Sequence, residues 1–257
     1  MALGEASARR LEAGEAANAR GTLGGHPGAA ALEIAGGVAV FCGEDSALTR
    51  AVGIGLEGAV SAAELDRLED FFRSRGAHPS IELCPLADPG LLDRLACRGY
   101  RLTEFNNVLA RRLAGAEMAL TPRVRRTLPG EADLWSHTVG CGFFETVELT
   151  TEEMDVGRAI CVMPGAITYI AATESGAPAG GGALAIHSGL ATLFADSTLP
   201  AFRRQGIHRE LIVARLNEAL VAGCDLATAT TLPGSTSQRN YERAGFQVVY
   251  TKVTLVA

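Results

Sequence analysis

No two of the six cysteines (Cys42, Cys84, Cys97, Cys141, Cys161 and Cys224) form a C-x-x-C pair, and none joins a histidine at zinc-finger spacing. A disulfide framework and a structural metal are thereby set aside, and scattered thiols of this kind fit a reducing cytosol. The chain also lacks an excess of positive charge. Its formal net charge is −6, which gives no general attraction to nucleic acid or to an anionic membrane. It lacks a run of about eighteen apolar residues anywhere, so no membrane span is expected. The opening MALGEASARRLEAGEAANAR carries Glu and Arg where a signal peptide needs an unbroken apolar stretch. The reading is a cytoplasmic protein. What is present is an apolar fraction of 47 % against 20 % charged residues over 257 positions, a balance that builds one large core or two small ones.

Along the chain, residues 3–20 read as a polar helix and 21–30 as a glycine-rich loop. GVAVF (37–41), TRAVGIGL (49–56) and SIELC (80–84) read as strands. Between the last two lies SAAELDRLEDFFRSRG, where Ser61 and Glu64 form a capping box and Leu65, Leu68, Phe71 and Phe72 share one helical face. A short helix (88–99) and a long strand (100–113) follow. A linker is placed at Ala114–Pro122. Beyond it come a strand (124–128), two helices, three strands (166–174, 181–188 and 191–198), a helix (206–223), a strand, a helix (SQRNYERAG) and a closing strand. RLACRGYRLTEFNNVLARRL (94–113) matches NYERAGFQVVYTKVTLVA (240–257) in pattern: helix, Gly-aromatic, long strand. Gly58 to Gly99 spans 41 residues and Gly206 to Gly245 spans 39. The chain therefore reads as a tandem repeat, divided at 1–118 and 119–257.

Two glycine loops compete for a functional role. GIGLEG (53–58) has the letters of a dinucleotide fingerprint. However, the helix after it is already capped by Ser61 and Glu64, Glu57 would repel a pyrophosphate, and no basic residue lies between Gly53 and Ser61. It reads as a tight strand exit. AFRRQGIHREL (201–211) is the opposite case. Pro200 ends a strand, two arginines flank Gln205 and Gly206, and a helix starts with no Ser, Thr, Asp or Asn in the loop to cap it. Its free amides are the natural partners of a phosphate.

At this loop the chain resembles the GNAT superfamily of acyl-CoA-dependent acyltransferases, whose motif is Arg/Gln-x-x-Gly-x-Gly/Ala. The downstream segment PGSTSQRNYERAGF resembles the family's last helix and its Gly-Phe ending. The resemblance implies an α/β (α+β) fold: two tandem GNAT-like units, each a mixed β-sheet flanked by helices. Residues 1–118 would be a degenerate copy with an N-terminal helix, and 119–257 the copy that binds acyl-CoA. Acetyl-CoA is the implied co-substrate, with no metal. The pyrophosphate is expected on the amides from Arg204 to Arg209, that is Arg204, Gln205, Gly206, Ile207, His208 and Arg209, with Arg203 of the same loop also binding the cofactor. The pantetheine is expected along Ser197, Thr198 and Leu199, with Ser237 and Asn240 bonding the cofactor from the last helix. His208 departs from the motif, standing where Gly or Ala is usual.

Tyr241, four residues before Gly245, is the candidate acid for the leaving thiolate, and Asp196 the candidate base. By alternation, Phe194, Asp196 and Thr198 would share one strand face. His137 and His187 read as structural histidines, and Trp135, Phe143 and Phe144 as core aromatics that could also line an acceptor pocket. The implied activity is transfer of an acetyl group to a primary amine of a small molecule or a protein; the alternative is a catalytically silent acyl-CoA-binding or sensor module. The partners expected are the amine alone, with neither nucleic acid nor membrane, and a monomer is favoured over a homodimer because a tandem repeat can bury its own pairing surface.

Overall fold

Alanine-rich sequence opens the chain as a helix, α1 (Glu5–Gly21), in a computed structural model that describes residues 5–25, 27–115 and 122–257. Most of the linker expected at 114–122 lies outside the described residues. After α1 come β1 (Ala30–Ile34), β2 (Gly37–Phe41), β3 (Arg50–Val52), α2 (Ala62–Arg73), β4 (Ser80–Leu83), α3 (Leu91–Cys97) and β5 (Arg101–Arg112). The second series is β6 (Val124–Arg126), α4 (Ala132–Phe144), α5 (Thr151–Cys161), β7 (Ala166–Ala172), β8 (Pro178–His187), β9 (Leu190–Thr198), α6 (Ile207–Val221), β10 (Leu226–Thr231), α7 (Thr236–Arg243) and β11 (Gln247–Val256).

Two compact units emerge: residues 1–108 with 248–257, and residues 109–247. These bounds differ from the 118/119 division read from the sequence. The boundary falls inside β5, and the final strand β11 packs in the first unit, where it pairs antiparallel with β4 from Val253↔Leu83 to Val256↔Ser80. Strand order in the first unit is β1-β2-β3-β4-β11-β5, and in the second β5-β10-β9-β8-β7-β6. Each unit repeats one plan. An antiparallel meander (β1-β2-β3, or β7-β8-β9) leads through a helix to a parallel neighbour, β3 with β4 and β9 with β10. A helix and a long strand follow in both.

In the first unit α2 is capped as the sequence indicates: the Glu64 amide donates to Ser61 Oγ at 3.2 Å and the Ser61 amide to Glu64 Oε2 at 2.8 Å. Its buried face is Leu65, Leu68, Phe71 and Phe72, each burial stabilising by about 2 kcal/mol. The strand read over 49–56 is shorter than expected, and GIGLEG is the tight exit from it rather than part of it. β3 stops at Val52 because Gly53 and Gly55 take φ of +72° and +76°, conformations that leave the ladder. The Gly55 amide donates to Ala35 O (2.9 Å), and Gly55 O accepts from the Asp88 amide (2.8 Å), so the loop's backbone is used in tying the unit together. β1, read as loop and unassigned sequence, pairs with β2 through a tight turn at Ala35 and Gly36, both with positive φ.

α1 covers the other face of this unit. It buries Ala8, Leu11, Ala16 and Ala19, packs Ala16 and Ala19 with Val38, Val40 and Val52 of the sheet, and lies beside a cluster of charged side chains. Lys252 Nζ lies 2.5 Å from Glu82 Oε2, Arg50 bridges Glu82 and Glu15 at 2.8 and 2.9 Å, and the Tyr250 hydroxyl donates to Glu12 Oε1 at 2.5 Å.

In the second unit the core lies between the sheet and α6–α7, with Leu184, Leu193, Leu211, Ile212, Leu216 and Phe246 at its centre. The opposite face packs Trp135, Val139 and Ile160 of α4 and α5 against Ile170 and Ala183. Trp135 is fully buried, and its indole N–H donates to Tyr169 O at 2.9 Å. That makes it a core residue rather than a pocket wall.

Candidate functional site

β9 and β10 pair in parallel only from Leu190↔Leu226 to Leu193↔Ala229. Residues 194–198 of β9 run past the last paired position, leaving an open strand edge. At the same place β9 loses register with β8. Ala183 pairs with Phe194 and Gly181 with Ser197, so Ala195 and Asp196 together oppose Gly182. This is a β-bulge with Ala195 at φ +53°. It overturns the alternation expected along β9. Phe194 and Ala195 both pack on the Trp135 side, while Asp196 turns to the α6 side.

Asp196 there meets Arg215, the fully buried guanidinium of α6. Arg215 Nη2 donates to Asp196 Oδ1 and Nη1 to Ala183 O (3.0 Å), and the Tyr241 hydroxyl donates to Asp196 Oδ2. Gly182 is the residue that admits this cluster: a Cβ on it would lie 2.8 Å from both Arg215 Nη1 and Asp196 Oδ1. Burial by itself would push the Asp196 carboxyl up. The charge of Arg215, with His208 and the Tyr241 hydroxyl, outweighs burial and holds it at about 2. Tyr241 moves the other way: burial, then the Asp196 charge, raise its phenol well above the usual value.

The sequence assigned Tyr241 and Asp196 to proton transfer. In the structure Tyr241 is 1 % exposed, T-stacked on Phe246 at 5.0 Å and outside the cleft lining, with its proton committed to Asp196. Asp196 does line the cleft, with both oxygens already bonded.

Beside the open edge, α6 begins at Gly206, which has φ +84° and supplies no side-chain cap. Arg204 also has positive φ, +64°. This run of backbone presents the amides of the first turn outward, as an anion-binding concavity does. The first-turn carboxylate, Glu210, is paired with Arg123 and thereby offset. Asp196, Ser197, Thr198, Arg203, Arg204, Gly206, Ile207, His208, Arg209, Ser237 and Asn240 all line one cleft of about 860 Å³, joined by Gly142, Phe143 and Glu145 from the end of α4.

Of the residues assigned to cofactor binding from the sequence, Leu199 and Gln205 are outside that lining. Leu199 has both backbone groups in use, donating to Ala179 O and accepting from the Phe202 amide at 2.9 Å each. The edge open to a ligand is therefore 194–198. Arg203 differs from its neighbours. Its guanidinium is tied to Glu145 Oε1 (2.6 Å), Gly142 O (2.9 Å) and Thr198 O (3.2 Å), so it braces α4 against β9. Arg204, Arg209 and Arg243 line the cleft, and none of the three has a side-chain hydrogen bond or ion pair among the described residues. Arg243 and Glu145 entered the site unforeseen; Arg243, two residues from Tyr241 on a short exposed helix, was the one with a signal in the sequence. Phe143 and Phe144, read as core aromatics that could also line a pocket, are both exposed at the end of α4, and Phe143 lines the cleft. His137 contacts Cys141 Sγ at 3.5 Å on α4, and neither His137 nor His187 lines the cleft. All six cysteines are free. Among the described residues no cluster of His, Cys, Asp or Glu could hold a metal ion, and no helix is long and apolar enough to cross a membrane.

Buried polar atoms without partners gather here: Ser197 Oγ, Thr198 Oγ1 and His208 Nε2. Such groups are costly when left unmade, and all three belong to residues that line the cleft.

No family model matches the chain, and no curated protein matches it. Solved structures do. A GCN5-related N-acetyltransferase from Kribbella flavida superposes with a TM-score of 0.66 over 96 % of this chain and 95 % of its own, at 20 % identity. A GCN5-related N-acetyltransferase from Sphaerobacter thermophilus gives 0.59 over 89 % and 75 %, at 14 % identity. A tandem GNAT protein from the clavulanic acid biosynthesis pathway gives 0.55 over 76 % and 68 %, at 15 % identity. At these identities the likeness is one of fold. The chain has the mixed α/β architecture of GNAT acetyltransferases in tandem arrangement.

Proposed function

We propose that the second unit binds acyl-CoA, most simply acetyl-CoA, and transfers its acyl group to a primary amine of a small molecule or a protein. The observation that carries this reading is the uncapped α6 N-terminus, flanked by the unpartnered Arg204, Arg209 and Arg243 and opening on the unpaired edge of β9. The arrangement fits the co-substrate in each part. Amides at a helix start with free guanidiniums suit a diphosphate. An open strand edge with Ser197 and Thr198 hydroxyls suits the amide groups of a pantetheine arm. Acyl-CoA supplies the activated thioester; the chain supplies binding, orientation and charge. At the bulge, backbone N–H groups released from the β8 ladder can donate to the oxygen that gains charge during transfer.

Asp196 stays ionised through the neutral range, bonded to Arg215 and Tyr241. In this reading the pair is a fixed support for the bulge, and the amine loses its proton to water. In the first unit the helix in the place of α6, α2, caps itself; in this reading the part of that unit is structural.

A catalytically silent acyl-CoA-binding module is the second reading. It is favoured by the burial of Tyr241, the phenol assigned to proton donation from the sequence, behind Asp196. Calorimetric titration of CoA and acetyl-CoA into the protein, with Gly206→Glu alongside, tests the shared part. Micromolar binding lost in the variant is expected, and no binding to wild type at millimolar ligand overturns both readings. A thiol-release assay across a panel of amines then separates enzyme from binder.

A further inference from the structure

His208 stands with its backbone in one part of the site and its side chain in another. Its amide belongs to the first turn of α6, at the proposed diphosphate position. Its imidazole turns back to the cleft floor, with a side-chain exposure of 15 %. There it packs edge-on to Tyr241 (5.5 Å between centroids), and Asn240 Nδ2 lies 3.1 Å from Nδ1. With the amide donating, the imidazole proton sits on Nε2. Nε2 is buried, has no hydrogen-bond partner, and lies 3.7 Å from Asp196 Oδ1. That gap is too long for a hydrogen bond and short enough to close on protonation.

The charges around the imidazole decide when that happens. From β9 comes Asp196. From α6 come Arg215, bonded to Asp196, and Arg209 next in sequence, with Glu210 offset by Arg123. From α7 come Arg243 and the neutral Asn240 and Tyr241, and from the loop Arg204. The helix start adds a partial positive charge. Without ligand, Arg215 already neutralises Asp196 and the remaining side-chain charges around the imidazole are cationic. A bound diphosphate reverses the balance.

We propose that His208 couples anion binding at the α6 N-terminus to uptake of one proton by its own imidazole, which then pairs with Asp196 and fixes the cleft floor. On protonation both ring nitrogens donate: Nε2 to Asp196 Oδ1, and Nδ1 to the Asn240 amide oxygen after that amide turns over. The proton comes from solvent, and no covalent step is involved. His208 is thus a positioning residue that makes ligand affinity depend on pH, which Gly or Ala at this place could not do. The inference rests on the acyl-CoA reading.

The test uses dephospho-CoA, whose diphosphate diester keeps a constant charge over the pH range in which imidazoles titrate. Titration calorimetry in two buffers of different ionisation enthalpy, neither of them phosphate, reports proton uptake directly. Uptake approaching one proton is expected, with binding about tenfold tighter at the acid end of the imidazole range than at the alkaline end. His208→Gln, which keeps a polar side chain beside Asn240, removes both effects. The His208 Cε1–H resonance of wild type, assigned by its loss in that variant, shifts toward the imidazolium position on adding ligand; this readout stands even if the variant folds poorly. Binding without proton uptake, or uptake that persists in His208→Gln, overturns this inference alone. Failure of dephospho-CoA to bind at any pH overturns the acyl-CoA reading and this inference with it.

Discussion

Arg215 reaches from α6 to the bulge of β9 and donates to Asp196 Oδ1, and the guanidinium of the pair is wholly removed from solvent. The pair sits where Ala195 and Asp196 oppose one residue of β8. The local backbone geometry of the cleft and its buried electrostatics are therefore one feature. A bulge without the pair would leave Asp196 buried and alone; the pair without the bulge would have no carboxylate facing α6.

Breaking that pair is expected to be costly. Arg215→Met leaves Asp196 enclosed with no cation and should destabilise the second unit by about 3–5 kcal/mol, whereas replacing both partners by apolar residues should cost much less. The pH dependence follows from the depressed carboxyl. Asp196 is held at about 2 against an ordinary 3.8, so its contribution is present above about pH 4 and is lost as pH falls toward about 2. Urea unfolding of wild type and of the double variant between those limits checks this: wild type should lose stability with acid more steeply, and parallel curves would refute it.

Tyr241→Phe separates support from catalysis. Losing a hydroxyl that bonds a buried carboxylate should cost roughly 1–3 kcal/mol in stability. In a supporting role, thiol release from acetyl-CoA should fall less than about tenfold, whereas a proton-donating phenol contributes about 10²–10⁴-fold. Parallel melting curves and initial rates on one preparation give both numbers. A rate loss beyond about a hundredfold in a stably folded variant would return the acid role to Tyr241.

Much of this site was legible in the sequence because it depends on short-range features. Gly206, the absence of a capping residue before α6, and the Ser61–Glu64 box are local patterns, and the structure shows each of them. The repeat was legible for the same reason: helix, Gly-aromatic and long strand recur as a block. What stayed hidden depends on partners far away in the chain. Nothing in LATLFADST announces a bulge, which is fixed by Gly182 and Arg215 from two other elements. Arg203 looks like a phosphate ligand beside Arg204 until Glu145, in a loop after α4, is placed against it. β11 reads as the last strand of its own half, and its pairing with β4 is a long-range choice that alternation cannot encode.

Glu12 offers a last prediction, in the first unit. It is 1 % exposed, its Oε1 accepts from Tyr250 at 2.5 Å, and its Oε2 has no partner. Burial is the largest influence and raises its carboxyl above the ordinary 4.5; Lys252 and Tyr250 pull it down, and Glu15 and Glu82 add to the rise. Glu82, buried nearby, goes the other way to about 2, because Lys252 and Arg50 outweigh its own burial. The signs are therefore opposite within one cluster. A carboxyl with a raised folded value loses stability as pH climbs above its unfolded value, since ionisation is easier in the unfolded chain. Glu12→Gln removes that loss and keeps an acceptor for Tyr250. The stability of Glu12→Gln relative to wild type should consequently rise with pH from about 4.5 upward and then level off. α1 is the element held by Glu12 and Glu15 with little large apolar surface besides Leu11, so hydrogen exchange of α1 amides should register the change first. A constant difference between variant and wild type across that range would show that Glu12 is as ionised in the folded unit as in the unfolded chain.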